Sequence, residues 1–174
     1  MGEWSWRVVD LNGTAAGDFG HLLFVNGDRT PASGIPVSGT ATYEARTLAL
    51  LATSGTPGIP FNLTADFGQR TMTARIDQDY RYDPTRNISD DPILGIHVGG
   101  STSFSNNGFF NIPLTGTANY VYNNSPTTPP TEPVAGMMNG AFFGPNAEQV
   151  GGAFSLQRPA GTLLIQDAFV GRRN

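Results

Sequence analysis

Apolar and polar residues alternate one for one along much of this chain, and no other feature of the sequence limits its fold as strongly. In residues 62 to 67 the apolar side chains occupy the odd positions, and in residues 71 to 76 they occupy the even positions. A period of two places alternate side chains on opposite faces of a β-strand. The pattern therefore predicts a hairpin of two strands, each with one buried face, and Gly68 and Gln69 suit a tight turn between them.

The same alternation recurs along the chain, and clusters of Gly, Pro, Asn and Asp separate its segments. The 22 glycines and 13 prolines among 174 residues are typical of a chain with many turns. We predict two short strands near residues 4 to 8 and 20 to 25, followed by eight longer strands at residues 40 to 52, 62 to 67, 71 to 77, 93 to 104, 109 to 121, 135 to 143, 150 to 156 and 162 to 170.

Eight consecutive strands joined by turns favour an all-β fold, an eight-stranded antiparallel up-and-down β-barrel, because closure removes the exposed strand edges. A β-sandwich is the structural alternative, since strand number alone does not separate the two. We expect one domain, in which residues 1–37 form one or two extra strands that pack on a barrel of residues 38–174. Pro113 is expected to cause a bulge or an unpaired stretch, because proline has no N–H to donate.

Two segments lack alternation and are expected to be exposed loops through which the protein recognises a partner, residues 77 to 92 and residues 123 to 134. Exposed tyrosine and arginine side chains dominate the energetics of many interfaces. The first loop contains the candidate partner-binding residues Tyr80, Arg81, Tyr82 and Arg86. Its aspartates lack the spacing of a calcium-binding loop, so a solvated acidic loop is the favoured interpretation.

The composition excludes several classes of function. The chain has a net charge of -4 and no long cationic cluster, so nucleic acid is not expected as a partner. It contains no cysteine, which removes disulfides, thiolate zinc sites and cysteine nucleophiles. No motif of an activated nucleophile or a metal centre is present in the sequence. We therefore expect a protein that is not an enzyme and has no catalytic residue, metal or cofactor.

Residues 140 to 154, GAFFGPNAEQVGGAF, place aromatic pairs and glycines on both arms of a predicted hairpin. With a loop at residues 144 to 149, Phe142 would lie opposite Gly151. A ring that covers a cross-strand glycine shields its backbone from water, and glycine permits the sharp coiling of a narrow barrel. In the loop, Glu148 is expected to accept hydrogen bonds from backbone amides.

This hairpin closely resembles the Phe-Phe-Gly-Pro-x-Ala-Glu-Glu-Val-Gly-Gly signature of the transferrin-binding protein B type of β-barrel domain, with Gln149 in place of the commoner second glutamate. The other matching pieces follow in the same order, Gly-Thr-Ala-Thr-Tyr at 39 to 43, Ala-Asp-Phe at 65 to 67, Asn-Gly-Phe at 107 to 109 and Ala-Phe-Val-Gly-Arg-Arg at 168 to 173. The resemblance extends over most of the chain from residue 38 to residue 174.

The resemblance implies a barrel displayed on the outer surface of a Gram-negative bacterium, often held there by a lipidated cysteine, which this sequence does not contain. Members bind host transferrin or lactoferrin, haem or haemoglobin, usually beside a TonB-dependent outer-membrane receptor, and others look like solute-binding proteins. We therefore expect non-enzymatic capture of a nutrient or its carrier protein for an outer-membrane transporter. Because this sequence holds one barrel and no second lobe, we do not expect it to capture transferrin in the manner of the two-lobed members.

Two other functions stay open at this point. The first is a structural or adhesive module of a larger surface protein, with a protein partner and no small-molecule ligand. The second is lipocalin-like carriage of an apolar molecule, against which the many aromatic residues argue because they would fill the interior.

The resemblance also implies haem as a candidate ligand, since similar small barrels hold it with a loop or rim histidine. The candidate ligand-binding residues are His97 and His21, neither of which has the spacing of a metal motif. The alternation places His97 opposite Ile96 and Val98 and therefore on the outer face. A solvated histidine is the alternative role for each.

Overall fold

The structure is a computed structural model that describes residues 2–6, 20–47, 58–79, 93–120, 131–159, 161 and 163–174. Its strands are β1 (Gly2–Trp6), β2 (Gly20–Phe24), β3 (Thr40–Thr47), β4 (Pro60–Asp66), β5 (Thr71–Asp79), β6 (Ile93–Ser103), β7 (Phe109–Tyr120), β8 (Thr131–Phe143), β9 (Gln149–Gln157) and β10 (Leu163–Arg173). One short 3-10 turn spans Ala32–Gly34. None of the described helical segments has the length and apolar character needed to cross a bilayer.

Strands β3 to β10 form a closed antiparallel barrel in which each strand pairs with its neighbours in the sequence and β10 pairs with β3. The predicted eight-stranded up-and-down barrel is confirmed, and the β-sandwich alternative is wrong. Strands β1 and β2 pair with each other as a separate antiparallel sheet. The assignment of residues 1–37 and 38–174 to a packing segment and a barrel stays a prediction.

The barrel interior is filled by aromatic side chains, because the alternation predicted from the sequence points one face of each strand inward. The ring of Phe142 lies 5.2 to 6.0 Å from four other rings, those of Tyr43, Phe67, Phe104 and Phe110. A second group is centred on Phe61, which makes edge contacts with Phe154 and Phe169. Offset and edge-to-face rings pack closely and bury large apolar areas. These contacts leave the interior occupied by the protein's own side chains.

Inward-facing glycines make room for these rings and for neighbouring backbone. A Cβ atom built on Gly140 would lie 2.4 Å from the Phe110 ring of the adjacent strand. A Cβ on Gly152 would lie 1.9 Å from the carbonyl oxygen of Asn139. Comparable clashes of 1.8 to 1.9 Å with a backbone carbonyl occur at Gly100, Gly116 and Gly136. Strands β6 to β9 therefore approach one another more closely than any residue with a side chain would allow.

The register of the hairpin between β8 and β9 differs by one residue from the prediction. Phe142 lies opposite Val150, and Gly140 lies opposite Gly152. The connecting loop has five residues instead of six, because Ala147 adopts a left-handed conformation with φ of 58° that shortens the turn. The ring directly opposite a glycine is Phe110 on β7, which faces Gly140, whereas within the hairpin the ring of Phe143 approaches Gly151 diagonally.

The turn between β4 and β5 also differs from the prediction. Asp66 lies opposite Thr71, so the connection has four residues and not the two at Gly68 and Gln69. Arg70 takes the left-handed conformation with φ of 56°, and the Asp66 carboxylate accepts a hydrogen bond from the Gln69 amide at 2.8 Å. An aspartate that caps the turn in this way makes the wider loop favourable.

The predicted loops are shorter at one end than expected. Strand β5 continues to Asp79 and β8 begins at Thr131, so residues 77 to 79 and 131 to 134 are strand and not loop. Most of the residues that extend these strands are polar, so they do not show the alternation of apolar and polar residues from which strands were predicted. Pro113 pairs with Met137 on β8, whereas pairing of β7 with β6 ends at Thr115, so the predicted interruption lies on the β6 side only.

Residues 25 to 31 run across the outside of the barrel and are joined to the end of β8. The Thr30 amide donates to the Phe142 carbonyl at 3.0 Å, and the Gly144 amide donates to the Asp28 carbonyl at 2.9 Å. Outward Gly151 leaves the space in which Val25 lies, since a Cβ there would be 2.7 Å from the valine side chain. We call residues 25 to 31 the strap.

Replacing Gly152 with alanine should destabilise the barrel more than replacing Gly140. The new Cβ at Gly152 would lie 1.9 Å from a backbone oxygen, whereas at Gly140 the closest contact is the Phe110 ring and the nearest backbone oxygen, that of Gly151, is 2.9 Å away. We expect Gly140→Ala to cost about 1–3 kcal/mol of unfolding free energy, as overpacked cores do, and Gly152→Ala to cost more. Gly68→Ala is the control, since its Cβ would make an ordinary 3.4 Å contact. Urea denaturation measures all three, and equal stability of the three variants would contradict the packing described here.

Candidate functional site: the charged face

The signature loop at residues 144 to 148 is held to the barrel end by buried and local hydrogen bonds. The Tyr43 hydroxyl donates to the carbonyl of buried Ala147 at 2.7 Å. Burial raises the pKa of Tyr43, which keeps the phenol neutral and able to donate. The Glu148 carboxylate accepts from the Asn146 amide at 2.9 Å, as predicted, and from its side chain at 3.0 Å. The motif that carries the resemblance thus fastens the end of the barrel.

The outer face of β10, β3, β4 and β5 carries charges of both signs at adjacent positions. We call it the charged face and define it by Glu44, Arg46, Asn62, Thr64, Thr73, Arg75, Asp77 and Arg172. The strand register sets these side chains in rows. Arg172 is opposite Glu44, Glu44 is opposite Asn62, and Asn62 is opposite Arg75. The rows could not be read from the sequence, because they depend on the pairing of β10 with β3.

The charged face surrounds a depression of about 1050 Å³. Three arginines and two carboxylates line it, so the depression is net positive although the chain carries a net charge of -4. Arg75 donates to Asp77 at 2.6 Å. Arg46 and Arg172 make no ion pair with any residue that the structure describes.

His97 lies at the edge of the charged face, opposite Asp77 across the β5–β6 ladder. Its Nδ1 atom is 2.6 Å from Asp77 Oδ1, and its Nε2 atom is 3.0 Å from Asp79 Oδ1. Asp77 uses its other oxygen for the bond to Arg75. Gly95, opposite Asp79, leaves room for this arrangement, since a Cβ there would lie 3.2 Å from the Asp79 carboxylate.

These contacts shift the pKa values of the groups that make them. The hydrogen bond that His97 donates to Asp77 raises the pKa of His97, and the bond it donates to Asp79 acts in the same direction. The hydrogen bonds from Arg75 and then His97 lower the pKa of Asp77. An imidazole that donates from both nitrogens carries a positive charge, so the geometry and the pKa shifts agree.

Among the predicted site residues, His97 is the one whose side chain the structure describes. His97 points outward, as the alternation predicted, and its half-exposed ring joins two aspartates that the sequence placed in a loop. His21 belongs to β2 and pairs with Ser5, but its side chain lies outside the described residues. The candidate partner-binding residues Tyr80, Arg81, Tyr82 and Arg86 also lie outside them. Their roles stay predictions.

The surroundings of His97 do not fit haem well. Both ring nitrogens face carboxylates, so a haem iron would have to displace one of them. The described part of the chain also contains no group of three or more His, Cys, Asp or Glu residues arranged to hold a metal ion. We derive no role for haem iron from this geometry.

Residues 35–171 match the family model described as the C-lobe and N-lobe β-barrels of Tf-binding protein B. The chain belongs to this family. A curated relative, Transferrin-binding protein B of Moraxella catarrhalis, is 30% identical over an alignment of 148 residues, and the match covers 78% of this chain and 19% of that protein.

A solved structure shares the fold at low sequence identity. It is a tryptophan-to-alanine mutant of the vaccine antigen Transferrin Binding Protein B from Haemophilus parasuis Hp5, with a TM-score of 0.50 and 17% identity, and the match covers 84% of this chain and 29% of that one. The chain therefore spans less than a third of the length of either relative. These relatives are named for binding and not for catalysis.

Replacing Tyr43 with phenylalanine should loosen the signature loop, because the Ala147 carbonyl would lose its buried donor. A buried group left unpaired costs about 1–3 kcal/mol, so the unfolding free energy should fall by that amount. Thr73→Val is the control, since it removes an exposed hydroxyl bonded to Ser101 and should change stability by less than about 0.5 kcal/mol. Urea denaturation compares the two, and a Tyr43 variant as stable as the control would contradict the role assigned to this bond.

Proposed function

We propose that this protein is a non-enzymatic binding barrel of the outer surface of a Gram-negative bacterium, which captures an extracellular iron-carrier protein for an outer-membrane transporter. The observation that carries the proposal is the filled interior. Because aromatic rings occupy the centre of the barrel, a ligand must be bound from outside. A large outer surface with both charges suits a protein better than a small apolar molecule.

The charged face and the loops after β5 and before β8 supply the contacts in this proposal. Arg46 and Arg172 are exposed, and arginine forms paired hydrogen bonds to carboxylates, which makes it a frequent centre of interface energy. Tyr80, Arg81, Tyr82 and Arg86 extend the contact from the adjoining loop. The partner is then a protein with acidic side chains on its surface. Transferrin is the first candidate, since the family and the curated relative are named for it.

Family membership supports the location and the transport role in this proposal. Capture at the cell surface is useful only when the nutrient passes on, so a TonB-dependent receptor is the expected second partner.

Neutralising Arg46 and Arg172 together as Arg46→Gln and Arg172→Gln should weaken binding of the carrier about tenfold or more, because charge-assisted bonds at an interface centre are lost. Biolayer interferometry against iron-loaded transferrin, lactoferrin and haemoglobin provides the measurement. The matched control, Asn111→Asp with Gln157→Glu, changes the net charge equally on exposed positions of β7 and β9 and should bind as the parent does.

Other outcomes of the same panel would overturn the proposal. Haem titration that gives a Soret band, lost in His97→Ala or His21→Ala, with no carrier bound, would assign the protein to haem capture. Binding to no carrier, no Soret band and no ligand in native mass spectrometry would assign it to a structural or adhesive module. Equal weakening by the control pair would remove the charged face as the contact surface.

A further inference from the structure

We propose that His97, Asp77 and Asp79 form a cross-strand clasp between β5 and β6 that is closed when His97 is protonated. The clasp regulates the charge of the charged face and restrains the end of β5 beside it. We call these three residues the clasp. The inference rests on the proposed function where it concerns partner binding, and on the geometry alone where it concerns the clasp itself.

The first step is the proton count of the imidazole. His97 places Nδ1 2.6 Å from one carboxylate and Nε2 3.0 Å from another. A neutral imidazole has one N–H, so it can donate to only one of them and turns a lone pair toward the other. Both contacts are favourable only when the ring carries two protons. The arrangement therefore holds together in the protonated state and is repulsive on one side in the neutral state.

The second step is the position of the clasp in the sheet. Asp77 is directly opposite His97, whereas Asp79 is two residues further along β5, at its end. His97 reaches Asp79 diagonally because Gly95 has no side chain at the position opposite Asp79. Loss of the second proton breaks the longer contact, to Asp79, while Asp77 keeps its bond to Arg75. The end of β5 then loses a cross-strand restraint.

The third step is the charge environment. Among the described residues, β5 presents Arg75, Asp77 and Asp79 to His97, and β7 presents the uncharged Thr117 opposite it. The imidazolium is thus flanked by the carboxylates of Asp77 and Asp79, and the basic group among these residues, Arg75, is bonded to Asp77. Protonation adds one positive charge at the rim of the depression that holds Arg46 and Arg172. An acidic partner surface is attracted more strongly in that state.

The sign of the pH dependence follows from the directions of the shifts. The raised pKa of His97 gives a stabilisation that is complete below its ordinary value of about 6.5 and is lost as the pH rises through the folded-state value. The lowered pKa of Asp77 gives a stabilisation that is present above its ordinary value of about 3.8 and is lost as the pH falls through the folded-state value. The clasp is closed between these limits and opens as the pH rises above the folded-state pKa of His97.

The test of the clasp uses the isolated protein and needs no partner. Long-range ¹H–¹⁵N NMR spectra across a titration report the protonation of both ring nitrogens, with His21→Gln to assign the two histidines. We expect the His97 midpoint to move to lower pH in Asp79→Asn and to stay in place in Asp28→Asn, which removes an equal charge from the exposed strap. Equal midpoints in the parent and in Asp79→Asn would overturn the clasp.

A second measurement follows the backbone. Amide-exchange protection at Asp79 and Gly95 should fall roughly two- to fivefold across the His97 titration in the parent, as expected for exposed ion pairs. It should stay constant in His97→Gln. Protection that changes equally in both proteins would show that the clasp does not restrain the end of β5.

Partner binding is measured separately, so that the two proposals fail in different ways. If the panel protein that binds does so more tightly at pH 6 than at pH 8 in the parent, and equally at both in His97→Gln, the clasp regulates the charged face. The same pH dependence in both proteins would overturn that regulation. If His97 titrates as expected but the protein binds no carrier, the proposed function is wrong and the clasp is still supported.

Discussion

The limited volume inside an eight-stranded barrel governs the rest of this structure. Such a barrel has room for side chains or for one small ligand, and here aromatic rings take the space. Phe142 contacts four other rings, and Gly140 and Gly152 bring the strands around it close together. A centre packed in this way is a hydrophobic core that stabilises the barrel and is not a ligand-binding cavity. In the function proposed above, a partner would therefore be contacted by the outer surface and by the connections between strands.

The signature hairpin that identifies the family and most of the residues that suit a binding role are in different places, although Arg172 belongs both to a matching piece and to the charged face. The signature loop is joined to Tyr43, to the strap and to the end of β10, where the Arg173 amide donates to the Glu148 carbonyl at 2.8 Å. Its polar groups form hydrogen bonds within the loop and with the barrel and the strap. The charged face uses outward positions of other strands, where substitution leaves the core unchanged. Shared architecture can therefore accompany different partners.

The sequence allowed the strand order, the inward faces and the closed barrel to be predicted, because alternation and turn residues act locally. It did not allow register to be predicted, since the difference between a five-residue and a six-residue loop depends on the left-handed backbone of Ala147. The contact of His97 with Asp79 was missed for a related reason. It requires β5 to extend past an acidic stretch and Gly95 to lie opposite it, and neither follows from composition.

The strap gives the outside of the barrel two unlike flanks. It lies against β8 and β9, where small residues such as Gly151 accept it, while the flank of β3, β4 and β5 keeps its guanidinium and carboxylate groups in contact with solvent. The strap therefore makes the β8–β9 side of the barrel different from the side that carries the charged face. A molecule bound at the charged face would therefore lie on the opposite side of the barrel from the strap, since β4 is four strands away from β8 in the closed sheet.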